Sequence, residues 1–225
     1  MVVLGFGIYI HRLQKEQTET LANEALLQLK TPAQPTNAPP PSPSAFLKVA
    51  SEYASTSVAE RAELLAAGAL FEENKYSEAE ALFAKFLKER ANSQLAATAA
   101  YGVAASLEAQ GKQTEAISAY QTVITRFPKS GAAVEARLNL GRVHEGRNEF
   151  DKALQYYSEV AKMNSYWSRD AGVHRERLTK AHPELKNPVP TAPTPTPTAP
   201  PTGAVKLDET GAPSTQPAPA PPPAK

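Results

Sequence analysis

The sequence predicts an all-α solenoid of antiparallel helix hairpins, and three observations carry that expectation. Segments of the 225-residue chain recur at a fixed period, the recurring units place apolar residues at helical spacing, and the 21 prolines cluster outside them. Six prolines lie between Pro32 and Pro43 and thirteen between Pro188 and Pro223, leaving only Pro128 and Pro183 elsewhere. Proline fixes φ and removes a backbone donor, so this distribution separates a foldable middle from two segments that cannot form helix interior.

The recurring segments are Tyr76-Ser-Glu-Ala-Glu-Ala-Leu-Phe-Ala-Lys-Phe86, Gln113-Thr-Glu-Ala-Ile-Ser-Ala-Tyr-Gln-Thr-Val123 and Phe150-Asp-Lys-Ala-Leu-Gln-Tyr-Tyr-Ser-Glu-Val160, each 37 residues from the next. Every copy has Ala, an aromatic at i+4 and an apolar residue at i+7 (Ala79, Phe83, Phe86 and their counterparts), which is one face of a helix. A preceding helix repeats in the same register through Leu64, Tyr101 and Leu138; Ala66, Val103 and Leu140; Ala67, Ala104 and Gly141; and Leu70, Leu107 and His144. Asn74, Gly111 and Asn148 fall between the two helices, and these residues tolerate the left-handed conformation that ends a helix. Short side chains at Ala67, Ala104 and Gly141 and at Ala79, Ala116 and Ala153 let the paired helices approach, and larger ones there are expected to force them apart.

Partial units flank these three. Phe46 and Val49 lie one period before Phe83 and Phe86, so residues 45–54 read as a second helix. Its first helix is the segment ending near Lys30, with the Pro-rich stretch as an insertion in the turn. At the other end, Trp167, Ala171, His174 and Leu178 share one face of a terminal helix whose polar outer side closes the array.

The N-terminal run Met1-Val-Val-Leu-Gly-Phe-Gly-Ile-Tyr-Ile10 has no charged side chain and stops at His11, Arg12 and Lys15. Ten helical residues rise about 15 Å, half of a hydrocarbon core of roughly 30 Å. Tyr9 and the cations that follow suit headgroup level, so the chain is expected to begin inside a single-pass anchor whose first half lies upstream. Residues 11–30 continue it as an amphipathic helix with Leu13, Leu21, Ala25, Leu26 and Leu29 on one face. The expected organisation is residues 1–30 as partial anchor and juxtamembrane helix, 31–44 as Pro-rich linker, 45–183 as the repeat domain and 184–225 as a disordered Pro-rich tail.

Charge and motifs narrow the function. With 24 Lys+Arg against 23 Asp+Glu, the formal charge of +1 gives no electrostatic reason to seek nucleic acid. There is no cysteine, which excludes disulfides and thiolate chemistry. His11, His144, His174 and His182 form no HxxxH or HExxH pair, and neither a GxSxG elbow nor a GxxxxGK[ST] loop occurs. No cofactor, metal or enzymatic role is expected, and His144 reads as a hydrogen-bonded core histidine.

These units resemble the tetratricopeptide repeat (TPR) family. The second fits best through Ala104, Gly111, Ala116, Tyr120 and Pro128; the third fits through Leu140, Gly141, Phe150, Ala153 and Tyr157 but has Ser165 where Pro is common, and the first has Ala91 there. The linker Arg126-Phe-Pro-Lys-Ser130 with Ala133 and Ala136 is similar to those of bacterial cell-envelope TPR proteins, including the Tol–Pal coordinator type, outer-membrane assembly lipoproteins and a membrane-anchored ancillary subunit of the Sec translocon. The resemblance implies a non-catalytic scaffold for protein–protein interaction. It implies an inner-membrane location with the array in the periplasm, or a soluble periplasmic adaptor, and a translocon or envelope-assembly machine as partner. Self-association through array ends near Phe46 or Trp167 is a further expectation.

In the family register the first helices line a concave face. The implied partner-binding residues are Arg61, Leu64 and Phe71; Thr98, Tyr101, Ala105 and Glu108; and Leu138, Arg142 and Glu145. Leu64, Tyr101 and Leu138 would form either an apolar stripe along the groove or ordinary core. Only Arg142 and Asn139 suit a clamp for a peptide carboxylate, so an apolar or mixed partner segment is expected.

Overall fold

The computed structural model describes residues 2–30 and 40–186, with side chains for 14–29 and 40–185. All of them fall within one compact unit. The expected tail beyond 186 and most of the Pro-rich linker lie outside the described residues. Among the described residues there are α-helices, one short 3-10 turn and no strands: α1 (Val2–Lys30), α2 (Pro43–Glu52), α3 (Ser57–Glu72), α4 (Tyr76–Glu89), α5 (Ala96–Ala109), α6 (Gln113–Arg126), α7 (Gly131–Gly146), α8 (Phe150–Ala161), α9 (Ser168–Ala181) and the turn Pro183–Lys186. The fold is an all-α TPR-type solenoid. Pairs α3/α4, α5/α6 and α7/α8 are its three full hairpins.

Each helix packs on its chain neighbour, and the first helices also touch across units, α1 on α3, α3 on α5 and α5 on α7. No comparable contact joins α4 to α6 or α6 to α8. Closer approach on one side bends the stack toward it, which puts the first helices on the inner face.

The turns within hairpins follow the sequence closely. Asn74, Gly111 and Asn148 have φ of 60°, 76° and 59°, the left-handed conformation. In each, the residue beyond the turn donates its N–H five residues back, Lys75 to Leu70, Lys112 to Leu107 and Glu149 to His144. That is the Schellman closure, which satisfies carbonyls the helix end would orphan. The turns between units repeat as well, with the N–H of Thr56, Ser93 and Ser130 bonded to the carbonyl of Tyr53, Arg90 and Phe127. Thr56 and Ser130 then cap α3 and α7 by accepting from the N–H of Ala59 and Ala133.

The Ala–aromatic–apolar triplets form the core. Ala79, Ala116 and Ala153 are fully buried, as are Tyr120, Tyr157, Val123 and Val160, with Phe83 and Phe86 nearly so. Gly141 explains the need for short side chains: a Cβ built on it would sit 2.5 Å from the Tyr157 ring. Gly102 faces the next interface over in the same way, its Cβ position 2.6 Å from the ring of Phe83.

The N-terminal region departs from expectation in three ways. First, the buried face of α1 is Ala22 and Leu26, with Ala25 and Leu29 beside them, whereas Leu21 is 56 % exposed. Leu26 and Leu29 set the stripe, and Leu21 falls one residue's rotation outside it. Second, α2 starts at Pro43, with Ser42 Oγ accepting from the Ala45 N–H. Proline suits the first turn, where its missing donor costs nothing.

Third, the Pro-rich stretch adds no residues to the unit: Lys30 and Phe46 are as far apart in sequence as Ala67 and Phe83. The partial unit therefore keeps the period of the array. No described helix is long and apolar enough to cross a membrane, so the transmembrane helix expected from the N-terminal run is not found there.

At the other end α9 lies one period after α7, in the place of a first helix, and no second helix follows it among the described residues. Ala171 and Leu178 bury against α8, and Leu185 of the 3-10 turn, 8 % exposed, joins the same cluster. The packed region thus runs past 183. Phe46 is 5 % exposed and Trp167 packs on the same C-terminal cluster, so neither is a free end for self-association; Leu47 and Tyr166 are the neighbouring apolar residues left in solvent.

Candidate partner-binding face

The inner face is built from outward positions of α3, α5 and α7, and its residues divide by what they already contact. Leu138 is 2 % exposed and packs with Ala153, Tyr157, Ala171 and Leu178. It cannot line an open groove. The stripe expected through Leu64, Tyr101 and Leu138 is interrupted there, because Leu138 is taken into the cluster that residues of α8 and α9 share. Leu64 is half-buried against the cluster of Phe83 and Phe86. Phe71 stands edge-on to Tyr76, ring centroids 5.0 Å apart.

Tyr101 occupies the middle of the face. Its ring lies 5.8 Å from that of Tyr120, and its hydroxyl accepts from Asn139 Nδ2 at 2.8 Å. The same amide nitrogen reaches the Tyr120 hydroxyl at 3.1 Å, and Tyr120 donates to Glu108 Oε2 at 2.7 Å. A chain of hydrogen bonds therefore joins α5, α6 and α7. Burial, with Glu135 and Glu108 nearby, raises the Tyr101 phenol above its ordinary value. Thr98 is exposed and Ala105 half-exposed, and Gly68, one period before Ala105, has open space where a Cβ would be. Together they leave a shallow floor flanked by Leu64, Phe71, Tyr101 and Glu108.

The Tyr–Glu pair recurs one period on, with Tyr157 donating to Glu145 at 2.7 Å. Burial acts first and the carboxylate second to raise the phenols of Tyr120 and Tyr157. In the first hairpin the same two positions are Phe71 and Phe83, so hydroxyl and carboxylate are lost together. That joint exchange is a sequence signal for the pairing.

Charged residues close both ends. Arg61 donates to Asn23 Oδ1 at 2.5 Å, tying α3 to α1. Arg142 meets Asp170 at 3.3 Å, and Glu145 receives Arg177 at 2.6 Å and lies 3.9 Å from His174. His174 stacks on the Tyr157 ring at 4.9 Å. Asp170, His174 and Arg177 of α9 belong to this face and were not among the residues expected there, although α9 follows α7 by one period. Among the described residues no cluster of three His, Asp or Glu is placed to hold a metal ion. A cleft of about 280 Å³ between α2, α3 and α4, lined by Leu47, Ala50, Leu82 and Phe86, lies away from this face.

His144 sits at the end of α7 behind the face. It is 4 % exposed, Nδ1 lies 2.9 Å from Glu149 Oε2, and the ring stacks on Tyr156 at 5.6 Å. Where the other hairpins have Leu and Lys (Leu70 with Lys75, Leu107 with Lys112), this one has His and Glu. Burial lowers the imidazole pKa below 6.5 despite the Glu149 partner, with Lys152 and Arg147 adding to the shift. Hydrogen bonds from Lys152 and His144 draw the Glu149 carboxyl down to about 2.

Both groups then bind protons more weakly folded than unfolded, so both lose stability on acidification: His144 as pH falls below 6.5, Glu149 as it falls from 4.5 toward about 2. The wild-type melting temperature is expected to fall between pH 7.5 and 5.5. In His144→Leu, which restores the residue of the other hairpins, that fall should shrink, and thermal melts at the two pH values check it.

Residues 95–164, from the start of α5 to just beyond α8, match the family model described as a tetratricopeptide repeat. No curated protein matches the chain. The match covers the second and third hairpins of a TPR-type solenoid, and TPR units in general suggest a protein-interaction scaffold.

Proposed function

We propose that the array is a non-catalytic scaffold that holds a protein partner on its inner face, tethered to a bacterial inner membrane by the apolar run of α1 with the repeats on the periplasmic side. The observation that carries the binding reading is the half-open floor at Thr98, Tyr101 and Ala105, whose neighbours are fixed by hydrogen bonds while its surface is left unfilled. A rigid surface lowers the ordering cost of binding. Arg61, Leu64, Phe71, Glu108, Arg142 and Glu145 frame it, and an apolar or mixed segment of a translocon or envelope-assembly partner suits it. Confinement to a membrane raises effective concentration, so modest affinity suffices.

Thr98→Arg and Ala105→Arg fill the floor without touching the core. Each is expected to leave the melting temperature unchanged and to abolish partner capture from solubilised membranes, and capture equal to wild type would contradict the reading. A second reading, a periplasmic adaptor without an anchor, is favoured by the lack of a described helix able to cross a membrane. Carbonate extraction separates the two: retention in the membrane fraction supports the tether, and full release supports the adaptor.

A further inference from the structure

We infer that α1 is both the leading helix of the repeat array and its lipid tether, so that no flexible joint separates a membrane leaflet from the inner face. This rests on the tether reading above. The helix is unbroken over Val2–Lys30, 29 residues. Its C-terminal part is bonded into the stack: Glu19 accepts from the Ser57 N–H at 2.9 Å and hydroxyl at 3.1 Å, and Arg61 reaches Asn23. These contacts have a sequence separation of 38, the same as that between Tyr101 and Asn139 further along. α1 therefore meets α3 in the register in which α5 meets α7. The Pro-rich segment lies at the turn end of this unit, after α1 has packed, and so cannot act as a spacer between tether and array.

The occupant we assign to the N-terminal part of α1 is one lipid leaflet. Residues 2–10 carry no charge and rise about 13 Å as helix, close to half of a hydrocarbon core of roughly 30 Å. Tyr9 and then His11, Arg12 and Lys15 follow, the aromatic and cationic types that favour headgroup level. From Ile10 to Glu19 is about 13 Å more of helix, so the first unit is held just beyond the headgroups.

The chain has no native cysteine, so single-cysteine labels can be placed at exposed Gln14, Glu24 and Glu176 of the full chain. The probe is vesicles of phosphatidylcholine and phosphatidylglycerol carrying a headgroup quencher. The full chain should co-sediment with them, and Val3→Lys should weaken binding roughly 100-fold, the effect of a charge within the hydrocarbon. Quenching should fall in the order Gln14, Glu24, Glu176. Gln17→Pro breaks the helix before its packed part; it should keep vesicle binding and the melting temperature but at least halve the contrast between Glu24 and Glu176. Failure to bind vesicles would overturn the tether reading together with the inference. Binding with no gradient, or with a gradient unchanged by Gln17→Pro, would overturn the rigid connection alone. Binding only when a membrane protein is present would replace the leaflet by a protein partner.

Discussion

Tyr120→Ala is expected to cost about 3–5 kcal/mol, the range for removing a buried aromatic side chain. The ring is fully buried among Ala100, Ala104, Ala116, Val123, Ala136 and Leu140, so it joins the second hairpin to the third. Folded domains are stable by only about 5–15 kcal/mol, and the loss falls at the centre of a stack whose units depend on their neighbours. The melting transition should drop by more than ten degrees or split in two. Tyr120→Phe keeps the ring and removes only the hydroxyl that donates to Glu108 and accepts from Asn139. Glu108 is half-exposed and can turn to water, so this change should cost about 1 kcal/mol. A double-mutant cycle with Glu108→Gln measures the pair. Equal costs for Tyr120→Ala and Tyr120→Phe would mean the ring is not core.

Gly141→Ala and Gly102→Ala should each destabilise by about 1–3 kcal/mol, the usual cost of overpacking. Elsewhere in a helix the same change stabilises by roughly 0.5–1 kcal/mol, because Ala loses less backbone entropy. Here the new methyl would lie 2.5 Å from the Tyr157 ring or 2.6 Å from the Phe83 ring, and both rings are buried. Gly68 provides the contrast, since nothing lies within 4 Å of its Cβ position, so Gly68→Ala should raise the melting temperature. Urea titration of the three variants checks the sign of each change. Stabilisation by all three would contradict the close approach of α5 to the Phe83 ring of α4 and of α7 to the Tyr157 ring of α8.

The hairpins were legible in the sequence because their constraints are local and repeat. A left-handed turn needs Asn or Gly, a close helix pair needs Ala or Gly, and one aromatic at i+4 fills the gap, so three copies of Asn74, Ala79 and Phe83 suffice. What lay hidden depends on residues far along the chain. Leu138 has the sequence environment of Leu64 and Tyr101, yet it is taken into the cluster that residues of α8 and α9 share. Ala22 rather than Leu21 turns inward because of where α3 lies, which hydropathy near residue 21 does not encode. The carboxylates Glu108 and Glu145 read in the sequence as partner-binding positions of the concave face, whereas each receives a tyrosine hydroxyl from the second helix of its own hairpin.

Occupation of the inner face is the central claim, and site-specific photocrosslinking tests it most directly. A photoreactive residue placed at Thr98 or Ala105 of the full chain in its native cells should give a discrete adduct with another protein. The same residue at exposed Ser118 or Thr122, on the opposite side of the second hairpin, should give none. Adducts of the same partner from both sides, or from Ser118 and Thr122 alone, would contradict the assignment of the inner face as the partner surface.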